Sequence, residues 1–252
     1  MGIESRTPAP GVAEVVIDVP PVNALAVADW FTLADTVLAA GRDQSVRVVV
    51  LRAEGRGFCA GVDIKEITER GDEALIGCNR GCAAAFGAVY DCEVPVVAAV
   101  HGFCLGGGIG LVGNADIVVA SEDATFGLPE VDRGALGAAT HLARLVPQHR
   151  MRAMVYTAKP ATAAELHHHG SVLEVVPAER LVDTAYEVAS AIATKSPTII
   201  RRAKESLNGI DPVDVKRSYR FEQGFTYELH VRGVADEQRQ AFVDKRDADT
   251  SR

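Results

Sequence analysis

Val94-Pro95-Val96-Val97-Ala98-Ala99-Val100-His101-Gly102-Phe103-Cys104-Leu105-Gly106-Gly107-Gly108-Ile109-Gly110-Leu111 is the most informative stretch of this 252-residue sequence. Val96 to Val100 is apolar and rich in β-branched residues, which suits a strand buried on both faces of a parallel sheet. A glycine cluster follows and leads into a helix. Three successive glycines at a strand-to-helix turn let a ligand approach the backbone closely. The free N–H groups of the helix start point outward, toward any developing negative charge.

The same arrangement occurs upstream. Val46 to Ala53 reads as a second buried strand, and Gly57-Phe58-Cys59-Ala60-Gly61-Val62-Asp63-Ile64-Lys65-Glu66 follows it. Two such loops can supply one backbone amide each, which is what an oxyanion hole needs. The plainer alternative is that both loops are tight turns. A phosphate loop fits poorly, because there is no Gly-Lys-Ser/Thr ending and no dinucleotide fingerprint with its downstream acid.

Further outward, Val12–Val19, Ile117–Ala120 and Val172–Val176 read as strands. Val27–Ala40 and Ala74–Tyr90 have the helical period, with Val27, Trp30, Phe31, Ala34, Val37 and Leu38 on one face. Strands alternating with helices predict an α/β fold built on parallel pairing. After Pro177 the strands stop. Leu181–Ala193, Thr198–Leu207, Pro212–Leu229 and Ala235–Lys245 read as consecutive helices. Phe221, Phe225 and Tyr227 on this tail are expected to dock against the core or a neighbouring subunit.

Composition removes several function classes. A net charge of −8 argues against a nucleic-acid surface. Five irregularly spaced cysteines (Cys59, Cys78, Cys82, Cys92, Cys104) read as reduced, packed thiols of a cytoplasmic protein. Met1 to Pro10 has neither the basic nor the apolar region of a signal peptide, and Arg6 stands where a myristoylation motif needs Ser or Thr. No apolar run is long enough to span a membrane. No metal is expected. His167, His168 and His169 are adjacent, and adjacent helical residues point roughly 100° apart, so a solvated surface is the reading adopted for them.

The segments CAGVDIKE (Cys59–Glu66), VPVVAAVHGFCLGGGIGL (Val94–Leu111), ADIVVASEDATFGLPEVDRG (Ala115–Gly134) and AFVDKR (Ala241–Arg246) resemble the crotonase, or enoyl-CoA hydratase/isomerase, family. They stand in that family's order and spacing across nearly the whole chain. The resemblance implies a spiral core of ββα repeats over residues 1–195, and a helical region over 196–252 that serves assembly and closes over CoA. It implies a homotrimer or a dimer of trimers. It also implies an acyl-CoA substrate, with coenzyme A as part of that substrate and no permanent cofactor. The thioester oxygen would sit between the amides of Val62 and Gly107. Substrate would lie along Ala60, Gly61, Asp63, Ile64, Lys65, Gly106 and Gly110, with Phe242 and Lys245 closing from the tail. Lys65 is either a phosphate partner or a helix-surface lysine. Phe242 and Lys245 have helix packing and a solvated lysine as their alternative. Asp63 and Asp116 read as hydrogen-bonding acids.

The family's hydratases use two glutamates. Here Gly110 occupies the first position, and Glu130, in Phe126-Gly127-Leu128-Pro129-Glu130, the second. Adding water across a double bond calls for two groups, whereas one carboxylate suffices for proton shuttling or for activating one water. Glu130 is therefore the expected acid/base. Asp132 either assists it or makes a structural hydrogen bond. His141 either lines the acyl pocket or is a satisfied helix histidine. The strings RAEGRGF (Arg52–Phe58), RGALGAATHLARLVPQH (Arg133–His149) and YRFEQGFTYEL (Tyr219–Leu229) are similar to a subgroup of the family in actinobacterial steroid catabolism. That likeness implies hydrolytic ring opening of a methyl-hydrindane dione CoA thioester. The small residues Gly134 to Ala139 would leave room for such a bicycle. Two alternatives stand beside it: an isomerase or hydratase of ordinary fatty acyl-CoA, and a non-catalytic acyl-CoA-binding scaffold.

Overall fold

The computed structural model describes residues 2–248. Met1 and the last four residues of the expected 196–252 region lie outside the described residues. In chain order the strands are β1 (Gly2–Ala9), β2 (Val12–Asp18), β3 (Ala24–Leu25), β4 (Val48–Ala53), β5 (Gly61–Val62), β6 (Val96–Val100), β7 (Phe103–Leu105), β8 (Ile117–Ser121), β9 (Thr125–Gly127), β10 (Ala161–Thr162) and β11 (Glu174–Val176). The helices are α1 (Val27–Arg42), α2 (Ile64–Arg70), α3 (Asp72–Tyr90), α4 (Gly107–Val112), α5 (Ala139–Leu142), α6 (Gln148–Thr157), α7 (Ala163–His168), α8 (Leu181–Ala193), α9 (Pro197–Gly209), α10 (Val215–Val231) and α11 (Val234–Asp244).

Six strands form the main sheet in the order β1-β2-β4-β6-β8-β11, and its pairs are parallel apart from β1 with β2. Alternate side chains on these strands divide between two cores, as a pleated backbone requires. Val48, Val50, Val97, Ala99 and Val119 face Leu181, Ala185 and Ala189 of α8. Val49, Leu51, Val96, Ala98, Val100 and Val118 face the larger core, which holds Trp30, Leu33 and Phe86. Being covered on both faces is why these strands read as unbroken apolar runs. The arginine in β4 has its partner in the next strand: Arg52 Nε donates to Glu14 Oε1 at 2.6 Å, and the fully buried Glu14 also accepts from Tyr186 and Arg6.

Main-sheet strands are followed by short strands that leave the sheet. The chain repeats this unit as β2-β3-α1, β4-β5-α2 and β6-β7-α4, so the expected ββα spiral is observed. β3 pairs with β5, and β7 with β9. A bridge between Cys59 and Cys104 joins the two glycine loops side by side. β1 escaped the sequence reading because it is a polar edge strand, exposed along most of its length.

The tail helices pack back on the core. In α10 the inward residues are Tyr219, Gln223 and Thr226, spaced at i, i+4 and i+7. Phe221 and Phe225 point outward instead, 70% and 42% exposed, and stack edge-to-face on each other at 5.1 Å. Among the described residues no helix is long and apolar enough to cross a membrane.

Candidate active site

The first loop is held to the second by backbone bonds: Leu105 N donates to Cys59 O at 2.8 Å and Cys59 N to Phe103 O at 3.2 Å. Gly61, at φ 91°, lies so close to the second loop that a Cβ there would stand 3.2 Å from Gly107 N. Gly107 opens α4, where the first amides have no partner within the helix. On the other strand of the pair, Ala60 N donates to Asn23 O at 3.2 Å and Asp63 N to Leu25 O at 2.9 Å, with Val62 N between them.

A cavity of about 240 Å³ opens beside these loops. Ala60, Gly61, Val62, Ile64, Gly106 and Gly107 line it, joined by Glu130 and Phe242. Its floor is apolar: Cys78, Cys82 and Phe86, one face of α3, with Tyr219 from α10. The thiols are inert there, since burial pushes Cys78 up to about 12 and Cys82 well above its ordinary value.

Glu130 begins a 3₁₀ turn, Glu130–Arg133, directly after β9. Register places it: Leu105 pairs with Gly127, and Gly106 N donates to Gly127 O at 3.0 Å. A Cβ on Gly106, which has φ 56°, would lie 2.7 Å from Glu130 Oε1, so only glycine leaves the carboxyl its place. Glu130 Oε2 is shielded from solvent and has no hydrogen-bond partner among the described residues. That burial holds the carboxyl up at about 8, the nearby Glu222 adding to it and Arg133 opposing it.

The second carboxylate position of the hydratases is closed. A Cβ on Gly110 would lie 2.2 Å from Phe86 Cζ, so the phenyl ring fills the space a glutamate would need. Gly110 is buried and does not line the cavity, which corrects its assignment to the substrate site. A Cβ on Gly107 would lie 2.6 Å from Trp30 Cη2, so the indole of α1 leaves that position room for glycine alone.

Of the two readings of His141, the structure favours the packed helix histidine over the pocket-lining one. His141 stands behind the cavity wall, its ring centroid 5.0 Å from those of Phe86 and Tyr219, and its Nδ1 is 3.1 Å from Asn114 Oδ1. Burial holds it down at about 3, so the ring is neutral at physiological pH. Asp132 points to solvent, because its position on the 3₁₀ turn faces away from the cavity that Glu130 and Arg133 line. Lys65 is exposed on α2, and Asp63 caps that helix by accepting from Lys65 N at 2.9 Å. Lys245 ends α11 in a left-handed conformation, exposed and away from the lining. Asp116 is structural, accepting from buried Lys204 Nζ at 2.7 Å and from Val96 N at 2.7 Å.

Sequence reasoning missed the floor residues Phe86 and Tyr219 and the cations Arg133 and Arg239. Helical spacing of Cys78, Cys82 and Phe86 was the available signal for the floor. α10 also fixes the cavity wall. Glu222 accepts from Ala139 N at 2.9 Å and Thr140 N at 2.6 Å, and Thr226 Oγ1 accepts from Leu136 N at 3.1 Å. A larger cavity, about 520 Å³, lies along α9, and its charged groups are ion-paired: Arg201 with Glu93, Arg202 with Glu205, Asp91 with Lys216 and Lys204 with Asp116. Among the described residues it has no glycine loop and no unpaired acid, unlike the smaller cavity.

Comparison with known proteins accords with this geometry. A family profile described as enoyl-CoA hydratase/isomerase matches residues 7–251. A protein of Rhodococcus jostii (strain RHA1) named (7aS)-7a-methyl-1,5-dioxo-2,3,5,6,7,7a-hexahydro-1H-indene-carboxyl-CoA hydrolase is 65% identical over 97% of this chain and 95% of its own. A protein of the same name from Mycobacterium tuberculosis (strain ATCC 25618 / H37Rv) is 63% identical over 97% of this chain and 100% of its own. The crystal structure of an enoyl-CoA hydratase from Mycobacterium avium subsp. paratuberculosis K-10 superposes with a TM-score of 0.87 at 25% identity, covering 100% of this chain and 99% of that one.

Proposed function

This chain belongs to the enoyl-CoA hydratase/isomerase family, and on that basis we propose that it hydrolyses a carbon–carbon bond in a bicyclic dione carried as a CoA thioester. The observation that carries the reading is Glu130: one buried carboxyl, its Oε2 unpartnered among the described residues, in a mostly apolar cavity beside two glycine loops, with Phe86 filling the place of a second. The two relatives named as hydrolases of such a thioester support the substrate class.

The chemistry needs one base and one oxyanion site. Glu130 takes a proton from water as the oxygen attacks the ring ketone. The bond from that carbonyl carbon to the methyl-bearing ring-fusion carbon then breaks, its electron pair passing to the ring-fusion carbon. That carbanion is stabilised by conjugation to the thioester carbonyl, whose oxygen takes the charge between the amides of Val62 and Gly107. Preorganised donors of this kind are worth about 3–4 kcal/mol each in comparable sites. Glu130 returns its proton to carbon, and the product is the substrate plus one water, with a new carboxylic acid that ionises.

Ala60, Gly61 and Ile64 would hold the CoA arm along the first loop, and Phe242 would cover it. Residues 196–252 would then act as the closing and assembling region. The outward pair Phe221 and Phe225 suits a subunit contact in a trimer or a dimer of trimers. Turnover of the dione thioester, with crotonyl-CoA a poor substrate, is the expected activity profile. Efficient hydration or isomerisation of linear enoyl-CoA, with the dione untouched, would replace this reading by an ordinary fatty acyl one.

A further inference from the structure

Arg133 has no use in the chemistry described so far. It lines the same cavity as Glu130, and its guanidinium carbon lies 3.9 Å above the Phe242 ring centroid. No carboxylate pairs with it among the described residues, whereas the other cavity arginine, Arg239, is matched by Asp236 and His230. Glu130 and Arg133 are the first and last residues of one 3₁₀ turn. Side chains three apart on such a turn eclipse, which puts acid and cation on one face.

A neutral dione offers a guanidinium no charge to bind. Its hydrolysis product does. The new carboxylate forms at the carbon that the Glu130-activated water attacks, so it appears beside that carboxyl, within a mostly apolar cavity. A carboxylate there is costly unless it is paired. We infer that Arg133 is the residue that binds this newly formed carboxylate, making the site selective for acyl-CoA esters that carry, or acquire, a second carboxyl group on the acyl part. This rests on the hydrolytic reading. The planar fork of arginine, already oriented by the Phe242 face, matches a carboxylate with two parallel hydrogen bonds.

The probes are adipyl-CoA and pimeloyl-CoA, which carry a terminal carboxylate, against hexanoyl-CoA, heptanoyl-CoA and free CoA. Binding is measured by calorimetry on the full-length wild-type protein and on Arg133→Gln and Arg133→Lys, with melting curves to establish that each is folded. Wild type should prefer a dicarboxylyl ester over its monoacid of equal length. Arg133→Gln should lose that preference, by roughly 10- to 100-fold in affinity, and Arg133→Lys should keep part of it. Free CoA and the monoacid esters should bind all three alike. Equal weakening of free CoA would assign Arg133 to the CoA phosphates and overturn the inference, as would a wild-type protein without the preference. The outcome is separable from the hydrolytic reading: an Arg133-dependent preference without ring opening would sink only the latter, and ring opening without the preference only the former.

Discussion

Phe86 Cζ stands 2.2 Å from the place where a Cβ on Gly110 would sit. The single contact explains how a fold used by hydratases can lack one of their two acids. The ring that fills the space is itself fixed, edge-on to Trp30 at 5.7 Å and tilted on Tyr219 at 5.1 Å. Gly110→Ala should therefore destabilise the protein by about 1–3 kcal/mol, the usual cost of overpacking. Adding Phe86→Leu should recover part of that loss, so that the two substitutions are less than additive in denaturant titrations. Full additivity would mean that the glycine has another reason to be there.

Glu130→Gln should lower turnover by about 10²–10⁴-fold, the range for removing a general base, while leaving ester binding nearly unchanged. The wild-type rate should rise with pH and level off above about 8, because the acting form is the carboxylate and burial holds its pKa there. The stability consequence has the opposite sense. The native protein keeps a proton on Glu130 that the unfolded chain releases near its ordinary value, so this group favours folding least at high pH. Stability present below the unfolded pKa is lost as pH rises through about 8, and Glu130→Gln should flatten that slope in pH-dependent melting.

His141 should behave as a structural residue. Its ring is neutral in the fold, with burial holding it down at about 3, while the unfolded chain binds a proton below its ordinary pKa. Stability should fall as the pH drops from that value toward 3, and His141→Leu should remove this acid sensitivity. The same substitution should cost stability, because Asn114 Oδ1 loses a buried partner. The pH profile of turnover should stay in place. A shift of its basic limb would put His141 back into catalysis.

Glu222 ties α10 to the cavity wall through the amides of Ala139 and Thr140. Charge-assisted bonds of this kind contribute about 1.5–3 kcal/mol each, so Glu222→Gln should lower stability measurably. Loosening the wall should also raise KM for a bulky acyl group more than for a short linear one. Equal effects on both would mean that the wall does not shape the acyl site.

Much of this was legible in the chain itself. The strands Val96–Val100 and Val48–Ala53 were readable because they are buried on both faces and carry almost no polar residues. Glu130 was readable because its Phe-Gly-x-Pro-Glu setting survives intact. β1 was not, since an exposed edge strand has no apolar pattern to read. Phe86 and Tyr219 were hidden for a different reason: they sit on helices far apart in sequence and meet only after folding. Of the tail's aromatic residues, Phe221 and Phe225 turn outward, while helical phase turns Tyr219, Gln223 and Thr226 inward, a division that composition alone does not give.

The most direct test is mass spectrometry of products formed from the bicyclic dione CoA thioester in heavy-oxygen water. The account predicts a product one water heavier than the substrate, with one heavy oxygen in a new carboxylate and the thioester intact, and no such product from Glu130→Gln. Recovery of unchanged thioester, or heavy oxygen found only in free acid released from CoA, would contradict it.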